Sequence, residues 1–116
     1  MSNGGVIMAY GDLETTDTGY LVNVEDWTED VAGEIAATED IGTLSDRHWD
    51  VINFLREEFF ENAENQPNDR AIVKAMSKTW GEKISANELY ELFPAQPSKL
   101  AAKIAGLPES KRKGGY

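Results

Sequence analysis

The residue types that most often do chemistry are scarce in this sequence of 116 residues, which contains one histidine and no cysteine. Without cysteine, any reaction that needs a thiolate nucleophile is excluded. The single histidine, His48, has no second histidine, HExxH pattern or nucleophile elbow to work with. We therefore interpret His48 as a structural residue at the edge of the core and predict no catalytic or metal site.

Carboxylates are abundant, and Glu57, Glu58, Glu61 and Glu64 follow one another at helical spacing. Such a series is far more often a solvated helix face than a cation site. The glycines are scattered singly, and neither a phosphate-binding loop nor a dinucleotide fingerprint is present. We predict no cofactor.

The net charge of −10 is divided unevenly along the chain. Residues 1–66 contain sixteen Asp and Glu against two Lys and Arg, whereas residues 67–116 contain five against nine. The acidic half repels phosphate and anionic lipid, and the basic half, which ends in Lys111, Arg112 and Lys113, suits an acidic partner surface. For these three charges alone, a solvated tail is the simpler interpretation.

The length fits one compact domain with a single core. No apolar run approaches the roughly 20 residues that cross a bilayer, and the first ten residues lack the pattern of a signal peptide. We expect a cytoplasmic protein that does not insert into membranes.

Two short β-prone stretches, Gly5 to Tyr10 and Tyr20 to Val24, flank a polar run and predict a small N-terminal β-hairpin. Amphipathic spacing then predicts about five helices, one of which carries the apolar stripe Trp49, Ile52, Leu55 and Phe59. The start signals in chain order are an N-cap at Asp26, a capping box over 43–46, the polar segment 62–68, a capping box over 85–88, and Pro97.

These elements predict a mainly α fold, an orthogonal helical bundle in a single domain. Residues 1–18 form the N-terminal segment and hairpin, 19–107 the helical core, and 108–116 a flexible C-terminal arm.

The helix pair predicted between Arg70 and Phe93 leaves a second function class open, a helix-turn-helix regulator that binds nucleic acid. Its second helix carries Glu88 and Glu91 but no cation, and this charge argues against nucleic acid as its ligand. Arg70 and Lys74 share one helix face and repel each other unless an anion or an acidic group lies between them.

Residues spread over 19–108 resemble the DsrC family, named for the gamma subunit of dissimilatory sulfite reductase, and its relative TusE. The stretch from Leu92 to Pro108 is the most specific part. The matching residues are Gly19-Tyr20-Leu21, Asn23, Asp26-Trp27, His48-Trp49, Phe54-Leu55-Arg56, Pro67, Arg70, Leu89-Tyr90, Leu92-Phe93-Pro94, Pro97, Lys99 and Ala105-Gly106-Leu107-Pro108.

This resemblance implies a DsrC-like fold and a sulfur carrier with two cysteines, one penultimate on a mobile C-terminal arm and one on the helix before Ala-Gly-Leu-Pro. It implies protein partners in one of two systems. TusE-like members pass sulfur toward tRNA thiolation, and DsrC-like members present it to siroheme sulfite reductase and a membrane-bound reductase. Both uses need a thiolate as nucleophile and leaving group.

The chain departs from that pattern at both sulfur positions. Ala102 stands at the helix position, and Gly115 is penultimate, or Lys113 if the arm is aligned without a gap from Pro108. An engineered cysteine knockout would leave the rest of the arm unchanged, whereas here residues 109–116 are rebuilt. We interpret the chain as a natural cysteine-free paralogue, non-catalytic and with a partner-binding or regulatory role; a cysteine-knockout carrier is the alternative.

We expect partner contacts on the basic second half and on the arm. The expected residues are Arg70, Lys74, Lys99, Lys103, Pro108, Lys111, Arg112, Lys113 and Tyr116.

Overall fold

The computed structural model describes residues 10–94 and 96–109. Within them the chain forms five α-helices, which confirms the mainly α fold. The helices are α1 (Glu29–Thr38), α2 (Asp46–Glu61), α3 (Asp69–Trp80), α4 (Ala86–Leu92) and α5 (Pro97–Ile104), preceded by 3-10 turns at Tyr10–Asp12 and Val24–Asp26. None of the helices in the described ranges is long and apolar enough to cross a membrane.

The β structure near the N-terminus is smaller than the predicted hairpin. Thr15 and Leu21 form one isolated antiparallel bridge, and most of the first predicted strand lies in residues 1–9, outside the described residues. Tyr20 and Leu21 are both buried, whereas consecutive residues of a strand point to opposite faces. The Tyr20 hydroxyl donates to the carbonyl of Lys99 (3.1 Å), so this segment serves to pack against α5.

Two helices begin at residues other than those predicted. The N-cap of α1 is Thr28, whose Oγ1 accepts from the N–H of Val31 (3.1 Å); Asp26 instead ends a 3-10 turn. The capping box of α2 pairs Ser45 with His48 rather than starting at Thr43. A neutral imidazole nitrogen can accept the N-cap N–H in place of the usual Glu carboxylate.

The remaining boundaries lie close to their predicted signals. The N-cap of α3 is Asn68 and its C-cap is Gly81, with a positive φ of 68°. Ser85 and Glu88 form the predicted capping box of α4, in which the N–H of Ser85 donates to Glu88 (2.8 Å). Pro97 is the first residue of α5.

Helix α5 is the central element and packs against α1, α2, α3 and α4. Burial of apolar side chains around it is the main stabilising contribution to the fold. The fully buried large side chains are Phe93, Leu21, Ile35, Ile52, Leu55, Ile72, Met76, Leu89, Ile104, Leu107, Val31 and Val51.

His48 joins the start of α2 to the end of α4. The N–H of Ser45 donates to Nδ1 (2.9 Å), and Nε2 lies 2.9 Å from the carbonyl of Leu92. Because the first partner can only donate and the second can only accept, the imidazole is neutral with its proton on Nε2. Burial lowers the pKa of His48, against a smaller raising effect of the Leu92 carbonyl. This placement agrees with a structural role.

We expect the lowered His48 pKa to make stability depend on pH. As the pH decreases, the unfolded histidine, with an ordinary pKa of about 6.5, binds a proton at a higher pH than the folded one does. The free energy of unfolding should therefore be level above that value and fall as the pH decreases through it, by at most about 1.4 kcal/mol per pH unit. Urea unfolding of wild type and His48→Gln between pH 7.5 and 5.5 would measure this. An equal slope in the variant, which has no histidine, would contradict the assignment.

Candidate functional site

Ala102 lies on α5, in the middle of the bundle. Its exposed fraction is 3% and it belongs to the apolar core. Its backbone carbonyl accepts from the N–H of Leu107 (3.0 Å), which closes the end of the helix. The methyl group fills its place without leaving a polar atom unsatisfied.

Trp27 and Arg56 hold the C-terminal end of α5. The last carbonyls of a helix have no partner within it, and here the Trp27 Nε1 donates to Ile104 (2.7 Å) and the Arg56 guanidinium to Ala105 (2.7 Å). The guanidinium carbon also lies 3.9 Å from the centroid of the Trp27 ring. Burial lowers the pKa of Arg56. The partners of this arginine are thus a backbone carbonyl and aromatic rings.

Gly106 allows Trp27 to pack this closely. Its φ is +75°, and a Cβ at this position would lie within 2.6 Å of the Cβ and Cγ of Trp27. Such a separation is far inside van der Waals contact. The glycine is therefore required both by the backbone conformation that ends α5 and by the indole beside it.

The beginning of the arm is hydrogen-bonded to the rest of the domain at two further points. The Gln66 side-chain amide donates to the carbonyl of Pro108 (3.1 Å), and the Thr18 hydroxyl donates to the carboxylate of Glu109 (2.8 Å). The place where the arm leaves the domain is thus set by side chains of the body. The predicted contact residues Lys111, Arg112, Lys113 and Tyr116, and the penultimate Gly115, lie outside the described residues.

Two of the predicted contact residues, Lys99 and Lys103, line a cavity of about 320 Å³ beside α5. The side chain of Lys103 is 15% exposed and forms an ion pair with Glu39. Burial, with Glu109 and Glu39 nearby, raises the pKa of Tyr20 to about 12, so this phenol stays protonated at neutral pH. The full lining is Thr18, Tyr20, Glu39, Pro94, Gln96, Lys99, Leu100, Lys103 and Glu109.

Arg70 and Lys74 lie elsewhere, exposed on α3. Arg70 lines a separate cavity of about 290 Å³ with Asp69, Val73 and Ala86. Neither Arg70 nor Lys74 takes part in the ion pairs found among residues 10–94 and 96–109. The predicted basic contacts therefore form two groups, one on α3 and one at the cavity beside α5.

The sequence family described as DsrC like protein matches residues 8–112. The chain belongs to the DsrC family. The sulfurtransferase TusE of Sodalis glossinidius is 46% identical over 99 residues, which cover 84% of this chain and 90% of the relative. The resemblance inferred from the residues is thereby confirmed.

Solved structures of DsrC proteins have the same fold. The solution structure of DsrC from Allochromatium vinosum has a TM-score of 0.73 at 39% identity and covers 84% of this chain and 87% of that one. The oxidized gamma subunit of dissimilatory sulfite reductase (DsrC) from Archaeoglobus fulgidus has a TM-score of 0.76 at 31% identity, covering 86% and 90%.

The joint role of Trp27, Arg56 and Gly106 was not predicted from the sequence, although all three are among the residues that carry the DsrC resemblance. The available signal was Gly106 followed closely by Pro108, a pattern typical of the end of a helix. This local pattern does not predict that the indole of Trp27, 79 residues earlier, lies against the glycine.

Proposed function

We propose that this DsrC-family chain binds partners of a sulfur-relay or sulfite-reductase system without carrying sulfur itself. The proposal is carried by the absence of cysteine from all 116 residues. Transfer through a persulfide requires a thiolate that attacks and then leaves. A protein with this fold but without sulfur atoms can still occupy the docking surface of a carrier, and so regulate transfer by competition.

The position of Ala102 supports this role. Because its side chain is buried, replacing a thiol there with a methyl group leaves the outer surface of the domain almost unchanged. The proposed contacts are Arg70 and Lys74 on α3, Lys99 and Lys103 at the cavity beside α5, Pro108 at the start of the arm, and Lys111, Arg112, Lys113 and Tyr116 within it. Sulfite-reductase and tRNA-thiolation systems remain the two candidate settings.

Two alternatives have less support. A cysteine-knockout carrier would require the encoding gene to contain the cysteines. A helix-turn-helix regulator would need cations on α4, and this helix has none; Asn87, Tyr90 and Glu91 are its exposed residues beyond Ala86.

We expect the wild-type chain to acquire no transferable sulfur. Incubation with a cysteine desulfurase and cysteine, followed by intact-protein mass spectrometry, should show no added sulfur atom. Ala102→Cys is the matched control. Because residue 102 is 3% exposed, its single thiol should react very slowly with a thiol reagent in the folded protein and readily once the protein is unfolded in urea. A sulfur adduct on the wild type would contradict the proposal.

Docking is tested separately by competition. Added to a sulfur donor and a TusE carrier, the chain should slow sulfur loading of the carrier in proportion to its concentration. Lys111→Gln/Arg112→Gln/Lys113→Gln should compete more weakly, and Lys78→Gln, outside the proposed contacts, should compete as well as wild type. Unchanged loading with the chain in excess would remove the proposal.

A further inference from the structure

The last two turns of α2 expose an aromatic ring among carboxylates. Phe60 is 49% exposed, which makes it one of three exposed large hydrophobic residues in the described chain. Its neighbours Glu57 and Glu61 are also exposed. We call the open groove here the Phe60 groove; it has a volume of about 600 Å³ and is lined by Arg56, Glu57, Phe60, Glu61 and Asn62.

The Phe60 ring is held in place by its own chain. The Phe59 ring meets it in a T-shaped arrangement at 5.2 Å, and the Arg56 guanidinium carbon lies 5.0 Å from its centroid. Arg56 is itself fixed by its bond to Ala105 and its stacking on Trp27. These contacts pre-position an exposed aromatic surface. Less conformational entropy is therefore lost when a partner binds to it.

The groove contains two carboxylates and one cation, and that cation, Arg56, is already engaged by the Ala105 carbonyl and the Trp27 ring. Glu57 and Glu61 are four residues apart on one helix face, an arrangement that repels. The ion pairs among residues 10–94 and 96–109 are Arg47 with Glu82 and Lys103 with Glu39, so neither carboxylate has a cationic partner there.

We propose that the Phe60 groove binds a lysine- or arginine-bearing segment of a protein partner. The aliphatic stem and charge of such a side chain pack on the Phe60 ring as a cation–π contact, and the carboxylates of Glu57 and Glu61 pair with its head group. Anionic lipid and nucleic acid are repelled by the same carboxylates. This surface is independent of the basic residues that the proposed function uses.

The test uses the full-length chain, labelled with ¹⁵N, and the peptide acetyl-Leu-Arg-Lys-Leu-Arg-amide as probe. Amide shifts should concentrate on residues 56–62 and weaken as salt is added. Phe60→Ala and Glu57→Gln/Glu61→Gln should each reduce affinity by about twofold to fivefold, the range expected for exposed cation–π and ion-pair contacts. Phe60→Leu keeps an apolar side chain without the ring and should resemble Phe60→Ala, whereas Tyr90→Ala, another exposed aromatic, should bind like wild type.

Three results would overturn the proposal. The first is equal binding of the peptide with glutamate in place of its basic residues. The second is a change at residues 56–62 when Lys111, Arg112 and Lys113 are neutralised without peptide, which would make the chain's own arm the occupant. The third is a change at these residues on dilution alone, which would make the occupant a second copy.

Discussion

Replacing Gly106 with alanine is expected to destabilise the protein by roughly 2 to 5 kcal/mol. A residue with a Cβ costs about 1–2 kcal/mol in the left-handed conformation that φ = +75° requires. The new methyl group would also overlap the Cβ and Cγ of Trp27, and overpacking of this kind typically costs about 1–3 kcal/mol more. Because Trp27 is hydrogen-bonded to Ile104, it cannot move aside without losing that bond.

Two other glycines serve as matched controls. Gly42 and Gly81 also have positive φ, at 80° and 68°, but a Cβ at either would meet nothing within 4 Å. Alanine at these positions should therefore cost only the backbone contribution. Urea unfolding followed by circular dichroism would compare the three variants, and an equal loss in all of them would show that the Trp27 contact adds nothing.

A double substitution separates the two contributions further. In a Trp27→Gly background, which removes the Cβ as well as the ring, the overlap is absent. Adding Gly106→Ala there should cost about as much as the same change at Gly42. Full additivity of the two substitutions would count against a direct clash between them.

Phe93→Ala is expected to destabilise the protein by about 3 to 5 kcal/mol, since it empties the space of a fully buried aromatic side chain. Phe93 lies just after α4, and its ring meets the His48 imidazole edge to face at 5.2 Å. Its removal thus affects the junction between α2 and α4 as well as the core. Phe60→Ala, the matched exposed substitution, should cost less than about 1 kcal/mol.

Relaxation around the cavity could reduce the loss of stability in Phe93→Ala, so the pKa of His48 provides a second measurement. Desolvation lowers the pKa of His48, and the Phe93 ring is part of what excludes water from it. The imidazole of the variant, followed by NMR titration, should therefore have a pKa closer to its ordinary value. An unchanged pKa together with unchanged stability would contradict the packing described for Phe93.

The fold could be predicted from the sequence because its signals are local. The buried stripe of α2, the capping box at Ser85, the stop at Gly81 and the start at Pro97 all depend on residues within a few positions of one another. The errors at Asp26 and Thr43 were of the same local kind, since several residues near each start could act as a cap.

The candidate site was less predictable because its contacts join distant parts of the chain. That Arg56 bonds to Ala105, that Lys103 pairs with Glu39 and that Gln66 reaches Pro108 are results of helix packing. Spacing along the sequence gives no measure of such distances. Among the described residues, the basic side chains predicted as partner contacts lie in two separate places, on α3 and at the cavity beside α5.

The concealment of Ala102 has a consequence for any cell that holds both this chain and a relative with cysteine at that position. A protein that docks on the folded domain cannot sense a residue sealed inside it, so the two would be nearly indistinguishable by shape there. Telling them apart must then rely on the tail that follows Pro108 or on differences scattered over the exterior. Relative abundance would decide which of the two occupies a shared receptor.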